Sequence, residues 1–491
     1  MSLKFNETDF EVQKITEEGR TVVCRTFEHI PYCESPKVPD LERLSIYVPE
    51  IFYQGGSING YDLHSAPIFM PNTIGGYMPG PEEAPGKNFM GKTNASFYAL
   101  LNGYVVVSAG ARGRGNRNAE GENVGVAPAG IVDLKAAVRF LRHNKELIPG
   151  NTDRIITNGT SAGGAMSSLL GTTGNHPDYE PYLKEIGAAD ERDDVFASSC
   201  YCPITNLDHA DVAYEWEFCG LNDYHRAIIA EPLEGEPSDH PVLGKRPGVD
   251  GNGGMMKPPK FIPVDGEMTR KQQALSVELC NRFPGYLNML NLSDEKGQSM
   301  TLDDDGTGSF LNHVIENVLK SAQKELDAGH DIMSDSKVAD WLRVENGRAV
   351  SVDWKEYVRF RTRMKEAPAF DNVSMGTAEN ELFGTTDVKQ RHFTAFSKEH
   401  DTVGGAIAEK DQVRLMNPMY YIDDPIAVKA THFRIRHGAV DRDTSLAISE
   451  ILALKLEDAG IDTDIAHPWG IPHAGDYDLP ELFDWIDSIC K

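Results

Sequence analysis

Gly159-Thr160-Ser161-Ala162-Gly163-Gly164 is the stretch that decides the fold. The run before it, Arg154–Thr157, predicts a short buried strand, and the run after it, Ala165–Leu170, predicts the start of a helix. A strand, a G-x-S-x-G pattern and a helix together are typical of a nucleophile elbow. The chain turns so sharply there that a Cβ atom at either flanking glycine would press on the crossing backbone. Ser161 is therefore predicted to be an exposed nucleophile; an ordinary glycine-rich turn is the alternative.

Apolar runs alternate with helical patterns on both sides of this elbow, which indicates an α/β protein with a mostly parallel, doubly wound sheet. This order predicts the α/β-hydrolase fold, with a catalytic domain formed by residues 1–203 and 418–491. The predicted strands cover residues 21–25, 44–48, 66–70, 104–108, 154–157, 194–203, 431–437 and 462–466, and the predicted helices cover residues 128–147, 445–456 and 479–490.

The character of the chain changes between residues 204 and 417. Residues 230–266 are rich in proline, glycine and charge, and helical patterns follow at 270–292, 309–329 and 354–366. We interpret residues 204–417 as an inserted lid domain that covers one edge of the sheet.

The charge balance excludes several classes of partner. The 491 residues include 48 Lys and Arg against 75 Asp and Glu, for a net charge of −27. Such a field repels nucleic acids and anionic membranes, and no apolar run reaches the 18 residues typical of a membrane span. The first residues lack the apolar segment of a secretion signal, so we expect a cytoplasmic protein, or a secreted one whose signal has been removed.

Metal and cofactor motifs are weak throughout. The seven cysteines form no C-x-x-C pair, and Cys200-x-Cys202 lies in a strand-like run, so mostly buried free thiols are expected. Asp303–Gly306 lacks the spacing of an EF-hand, and Gly110–Gly115 lacks the spacing and lysine of a phosphate loop. We therefore expect neither a metal nor an organic cofactor.

A serine nucleophile needs a histidine base, and the base needs a carboxylate that orients it. In this fold the chain order is Ser, then Asp or Glu, then His. His467 and His473 follow the last predicted strand, and His473 is favoured because it lies in a loop with room to reach Ser161. Asp441 and Asp443 both follow strand 431–437 closely, and their positions alone do not decide which of them orients the histidine.

An oxyanion hole needs two backbone amides near the serine. Ala162, at the start of the elbow helix, is the expected first donor. Gly75 or Gly76, just past strand 66–70, is the expected second donor, and a plain turn is the alternative for this glycine pair.

Six further stretches of the sequence are informative beside the elbow. They are Pro71–Tyr77, Ala213–Trp216, Thr362–Lys365, Pro368–Asp371, Arg436–Ser445 and Pro472–Asp478. Together with the elbow, these stretches give the chain a resemblance to the bacterial tannases, the tannin acyl hydrolases. The resemblance spans nearly the whole chain, and residues 230–266 match least well.

The resemblance implies a serine esterase that hydrolyses galloyl esters to gallic acid and an alcohol. It implies a triad of Ser161, Asp441 and His473 acting through a galloyl-enzyme intermediate. It also implies that Lys365, Glu379 and Asp443 bind the galloyl hydroxyls, which assigns the two aspartates separate roles. From the residues alone, Lys365 and Glu379 have the pattern of exposed helix residues.

Other functions stay open at this point. A feruloyl-type phenolic-acid esterase and a serine peptidase of the same fold would use the same triad. A binding module without activity is disfavoured, because such modules usually lack one member of the triad and all three residue types are present here.

Overall fold

The computed structural model describes residues 2–88, 91–229 and 261–491. Its strands are β1 (Glu11–Glu17), β2 (Arg20–Pro31), β3 (Arg43–Pro49), β4 (Pro67–Pro71), β5 (Val105–Ala109), β6 (Asn151–Thr160), β7 (Ala197–Tyr201), β8 (Asp223–Ile229), β9 (Phe261–Glu267), β10 (Leu342–Glu345), β11 (Arg348–Val352), β12 (His432–Arg436) and β13 (Asp462–Ala466).

Nine of these strands form one sheet in the order β1-β2-β3-β5-β4-β6-β7-β12-β13. From β5 to β13 all neighbours are parallel, whereas β1, β2 and β3 are joined antiparallel at one end. The short strand expected at 21–25 lies in the first half of the twelve-residue β2. The mostly parallel sheet confirms the predicted α/β-hydrolase fold.

Helices cover the sheet, and in the described residues between β7 and β12 they accompany the two-stranded sheets β8-β9 and β10-β11. They are α1 (Ala95–Leu101), α2 (Ala129–His143), α3 (Ala162–Thr172), α4 (Glu180–Glu185), α5 (Leu207–Phe218), α6 (Arg270–Met289), α7 (Ser309–Asp327), α8 (Ser336–Ala339), α9 (Trp354–Arg361), α10 (Ala378–Leu382), α11 (Ala395–Glu399), α12 (Lys410–Arg414), α13 (Met419–Ile422), α14 (Leu446–Asp458) and α15 (Leu479–Cys490).

The predicted helix 354–366 was too long. It ends at Arg361, because Thr362 takes a φ of 62°, a left-handed conformation that ends the helix. Lys365 therefore lies in an irregular segment after α9. Of the proline- and glycine-rich stretch 230–266, residues 230–260 lie outside the described part of the chain.

The polar side of α2 is buried as well as its apolar side. Asp133 accepts from Arg112 at 2.7 Å, and Lys135 and Arg139 pair with Asp193 at 2.7 and 2.8 Å. Buried charges are tolerated only when they are paired and hydrogen-bonded. The amphipathic pattern thus located the helix correctly but did not reveal that its charged residues are enclosed.

The elbow is the crossing of β6 and α3. Ser161 stands between them with φ 63° and ψ −125°, a strained conformation for a non-glycine residue. A Cβ atom at Gly163 would lie 2.6 Å from Asn72 Oδ1 and 2.7 Å from the Ile74 carbonyl oxygen. One at Gly159 would lie 2.5 Å from Asn72 Nδ2 and would also collide with the Gly163 carbonyl. The structure therefore requires glycine at both positions, as the sequence pattern predicted.

We expect Gly159→Ala to destabilise the protein by about 3 kcal/mol or more, because its Cβ meets backbone that cannot move away. Thermal unfolding measures the effect. Gly75→Ala is the matched control, since a Cβ atom there has nothing within 4 Å. Equal melting temperatures for Gly159→Ala and the unsubstituted protein would contradict the crossing geometry.

Candidate active site

His473 and Asp441 are joined at the carboxyl end of the sheet. His473 Nδ1 lies 2.8 Å from Asp441 Oδ2, as an orienting carboxylate requires. Asp441 follows β12 and is fully buried, whereas the His473 side chain is 25% exposed. A histidine held at Nδ1 presents Nε2 outwards, so the pair can take a proton at that nitrogen.

Three groups besides His473 hold Asp441. His437 Nε2 lies 3.3 Å from the same carboxylate, and Arg361 Nη2 donates to the Asp441 carbonyl oxygen. The Asp443 amide donates to Asp441 Oδ1 at 2.8 Å. Burial raises the pKa of Asp441, but the His473 and His437 rings outweigh it and hold that pKa well below its usual range. Asp441 is therefore a fixed anion beside His473.

The same anion acts on the imidazole. Burial lowers the pKa of His473, but the carboxylates of Asp441 and then Asp443 outweigh it and raise the pKa well above the usual range of histidine. The neutral ring is the form that can act as a base. The two carboxylates therefore favour proton uptake by the neutral ring at Nε2.

Cys202 lies between the histidine and the elbow. Its Sγ is 4.0 Å from His473 Nε2 and donates to the Ala474 carbonyl oxygen at 3.4 Å, and the Ser161 amide donates to the carbonyl oxygen of the preceding Tyr201 at 2.9 Å. On the other side Gly475 packs so closely on Thr160 that it leaves no space for a Cβ atom. These contacts bring the loop that carries His473 up to Ser161.

His467, the other candidate base, is committed elsewhere. Its Nε2 lies 2.6 Å from the buried Glu450 carboxylate, and its Nδ1 faces the His437 carbonyl oxygen at 2.9 Å. Both ring nitrogens are therefore occupied in the core. His467 is therefore a core histidine, and His473 remains the candidate base.

The candidate oxyanion donors flank the elbow on two sides. Ala162 is the first residue of α3, where backbone amides have no partner within the helix. The loop with Gly75 and Gly76 follows β4, and Arg114 Nε donates to the Gly76 carbonyl oxygen at 2.6 Å. Asn72 Nδ2 ties the start of this loop to the Gly163 carbonyl oxygen at 3.0 Å. The loop is thus attached to the serine's own helix.

Lys365 and Asp443 form an ion pair beside this centre. Lys365 Nζ lies 3.0 Å from Asp443 Oδ1, with the side chains 21% and 16% exposed. Burial lowers the pKa of Lys365, but the carboxylates of Asp443 and Glu379 outweigh it and leave the pKa raised. Burial raises the pKa of Asp443, but Lys365 and His473 outweigh it and leave the pKa lowered. Both groups are therefore charged.

Glu379 completes the charged group from the second residue of α10. Its side chain is buried, with the residue 7% exposed. Burial raises its pKa, and the nearby Lys365 offsets only part of that effect. Lys365 and Glu379 are thus not the exposed helix residues that their local sequence suggests. Two carboxylates and one ammonium share a half-buried space next to His473.

Helix α5 anchors both loops that carry these charges. Tyr214 Oη accepts from the amides of Met364 and Lys365 at 3.2 and 3.0 Å and donates to the Arg442 carbonyl oxygen at 3.0 Å. One hydroxyl thereby links the Lys365 segment to the segment between Asp441 and Asp443.

Two buried ion pairs extend from the same helix. Glu215 pairs with Arg363, which donates to the Lys365 carbonyl oxygen at 2.5 Å. Glu217 pairs with Arg361, which donates to the Asp441 carbonyl oxygen. Sequence reasoning gave these four residues no role, although charged residues inside the apolar stretch Tyr214–Phe218 were a usable signal.

One cluster in the described residues could offer ligand atoms to a metal. It consists of Cys202, Asp441 and His473, whose donor atoms lie within 4.8 Å of one another. Their hydrogen bonds to one another account for this arrangement without an ion.

The comparisons with known proteins agree with this geometry. A family model described as BD-FAE matches residues 75–209. The curated esterase LipC of Mycobacterium tuberculosis is 40% identical over 58 residues, which cover 12% of this chain and only 14% of that protein.

Solved structures match over the full chain. A tannase from Lactobacillus plantarum has a TM-score of 0.91 and 42% identity, and 100% of both chains is covered. A Fusobacterium nucleatum tannase has a TM-score of 0.90 and 43% identity, also with 100% of both chains covered. A tannin acyl hydrolase in complex with ethyl gallate has a TM-score of 0.89 and 42% identity, covering 100% of this chain and 99% of that one.

The fold and its relatives define the protein as a carboxylic ester hydrolase of the α/β-hydrolase class. Within that class, the chain belongs to the bacterial tannase family. Within the described residues, no helix is both long and apolar enough to span a membrane.

The charges around His473 predict a pH dependence. We expect kcat/KM on phenyl acetate to fall as the pH drops through the raised pKa of His473, because the protonated ring cannot accept a proton. Asp443→Asn removes one of the anions that raise this pKa, so the acid limb should move to lower pH by about one unit. Initial rates across a pH series measure this limb, and an unmoved limb in Asp443→Asn would contradict the electrostatic assignment.

Proposed function

We propose that this protein hydrolyses galloyl esters, such as alkyl gallates and tannins, to gallic acid and an alcohol. The observation that supports the proposal most is the grouping of Lys365, Asp443 and Glu379 beside His473. A relative of 42% identity has been solved in complex with ethyl gallate, which supports the same ligand class here.

The three charged groups suit three adjacent phenol hydroxyls. Each hydroxyl can donate one hydrogen and also accept, so the two carboxylates accept hydrogens and the ammonium donates to an oxygen. An ester without these hydroxyls would leave buried charges without a new partner, which is costly. Recognition in this proposal therefore depends on hydroxyls rather than on ring shape alone.

The proposed reaction follows the order of a serine esterase. His473 takes the proton of Ser161, whose Oγ attacks the galloyl carbonyl carbon. The amides of Ala162 and of Gly75 or Gly76 stabilise the oxyanion. His473 then protonates the leaving alcohol, and a galloyl ester of Ser161 remains. Water activated by the same histidine releases gallate and restores the serine.

We also propose that residues 204–417 act as a lid over this site. They carry α5, Lys365 and Glu379, whereas Ser161, Asp441 and His473 come from the strands and loops of the sheet. In this proposal the lid supplies specificity and the sheet supplies the chemistry.

Comparing two esters tests the function. We expect kcat/KM for methyl gallate to exceed that for methyl ferulate, because ferulate lacks two of the three adjacent free hydroxyls. Ser161→Ala should reduce methyl gallate turnover on the order of 10⁶-fold, with an unchanged circular dichroism spectrum as the control for folding. Faster turnover of methyl ferulate would favour a feruloyl-type esterase, and full activity of Ser161→Ala would exclude the mechanism.

A second test addresses the specificity residues. Glu379→Gln or Asp443→Asn should lower kcat/KM for methyl gallate about 10- to 100-fold, because each removes a charged hydrogen-bond acceptor. Turnover of phenyl acetate, which lacks ring hydroxyls, should change far less in the same variants at a pH where His473 is neutral. Equal losses on both esters would show that these residues do not contact the galloyl ring.

A further inference from the structure

Arg114 connects two parts of the proposed active site that lie far apart in the sequence. Its Nε donates to the Gly76 carbonyl oxygen at 2.6 Å, and its Nη1 donates to Glu381 Oε2 at 2.5 Å. Gly76 belongs to the loop that carries the candidate oxyanion donors (the oxyanion loop), and Glu381 stands in α10 two residues after Glu379. One guanidinium therefore bridges the oxyanion loop and the helix that carries a candidate galloyl-binding carboxylate.

The oxyanion loop has a shape that needs support from its surroundings. Gly76 and Tyr77 both have positive φ values, 53° and 56°. The Met78 amide closes the turn by donating to the Gly75 carbonyl oxygen at 3.0 Å. A left-handed conformation is unfavourable for a non-glycine residue such as Tyr77. Arg114 stabilises the turn twice, because its amide donates to the Tyr77 carbonyl oxygen at 2.8 Å while its side chain holds the Gly76 carbonyl. Since each peptide unit is planar, holding these carbonyl groups also fixes the directions of the amides in the turn.

The other end of the bridge is a charged contact in a half-buried place. The side chains of Arg114 and Glu381 are 21% and 12% exposed, and Lys389 Nζ lies 3.2 Å from the same carboxylate. Burial raises the pKa of Glu381, but Arg114 and then Lys389 outweigh it and leave that pKa lowered. Glu381 is therefore an anion. Its bond to Arg114 is charge-assisted, which makes it stronger than a hydrogen bond between neutral groups.

Helix α10 depends on such contacts for its position. It has only five residues, and a helix this short is not stable on its own. The segment that follows Arg114 holds the end of the helix, since the Ala127 amide donates to the Leu382 carbonyl oxygen at 2.8 Å. Arg114 itself holds the helix through the Glu381 side chain. These two contacts fix α10, and Glu379 is fixed with it.

We propose that Arg114 is a positioning residue that couples the oxyanion loop to α10, so that oxyanion stabilisation and galloyl recognition are held in one geometry. The inference rests on the proposed function, which places the oxyanion at Gly75 or Gly76 and a galloyl hydroxyl at Glu379. Arg114 acts through the Gly76 carbonyl at one end and through Glu381 at the other. The first end serves every ester, because each forms an oxyanion, whereas the second end serves galloyl esters.

Replacing Arg114 tests the end at the oxyanion loop. On phenyl acetate, Arg114→Met should lower kcat about tenfold or more and change KM less than about twofold, because a misplaced oxyanion donor weakens the transition state and not substrate binding. Steady-state kinetics measures both constants. Arg117→Met is the matched control, because Arg117 lies in the same segment and donates to the Gly121 carbonyl oxygen of its own loop. Its kcat should equal that of the unsubstituted protein.

Arg114→Lys is the second variant at this position, because it keeps a cation in the half-buried place. An ammonium lacks the planar fork of the guanidinium, so it can donate to the Gly76 carbonyl but cannot hold both partners in the same way. The kcat of Arg114→Lys on phenyl acetate should therefore lie between those of Arg114→Met and the unsubstituted protein. Circular dichroism and melting temperatures show that each variant is folded in the assay.

Replacing Glu381 tests the end at α10. Glu381→Ala should lower kcat/KM for methyl gallate about fivefold, because Glu379 is held less firmly, and should leave turnover of phenyl acetate unchanged. Adding Glu381→Ala to Arg114→Met should cause no further loss on methyl gallate, since the first change has already opened the bridge.

Three results would overturn the inference. They are an unchanged kcat on phenyl acetate in both Arg114 variants, equal losses on the two esters in Glu381→Ala, and a double variant whose loss is the product of the two single losses. Phenyl acetate has no ring hydroxyls, so this readout does not depend on galloyl recognition. Failure of the proposed function would appear separately, as an unsubstituted protein that does not prefer methyl gallate.

Discussion

The buried ion pairs of helix α5 are the interaction on which the site depends. Glu215 and Glu217 stand two residues apart, and their partners Arg363 and Arg361 each donate to a backbone carbonyl of a functional segment. Removing one member of such a pair leaves an uncompensated buried charge, which costs about 3–5 kcal/mol. The positions of Lys365 and Asp441 are therefore tied to one helix, and the proposed chemistry and specificity share a common support.

A second constraint is the placement of charge around the histidine. Asp441 and Asp443 both raise the pKa of His473, while Lys365 balances Asp443 and Glu379. The site carries more carboxylates than cations, as does the whole chain with its net charge of −27. In the proposed reaction a neutral ester enters this field without repulsion, and the field repels the anionic acid that leaves.

The sequence pattern led to the candidate catalytic residues more directly than to the candidate recognition residues. Ser161 follows from an elbow motif whose glycines are sterically required, and His473 follows from its loop after the last strand. Asp441 and Asp443 could not be separated by spacing, because the distinction lies in orientation: one carboxylate faces His473 and the other faces Lys365. Lys365 follows the end of α9, and the periodicity of the sequence does not show that the helix ends there. Only the family resemblance therefore predicted a role for Lys365. The buried partners on α5 had a usable signal, since their charges interrupt the apolar stretch Tyr214–Phe218, but the sequence analysis gave them no role.

The central claim is that the charged group beside His473 distinguishes esters by their ring hydroxyls. The most direct measurement is kcat/KM for a series of methyl esters with three, two, one and no hydroxyls: gallate, 3,4-dihydroxybenzoate, 4-hydroxybenzoate and benzoate. The account predicts a stepwise fall of about tenfold or more for each hydroxyl that is lost. A flat series, with methyl benzoate hydrolysed as efficiently as methyl gallate, would contradict it.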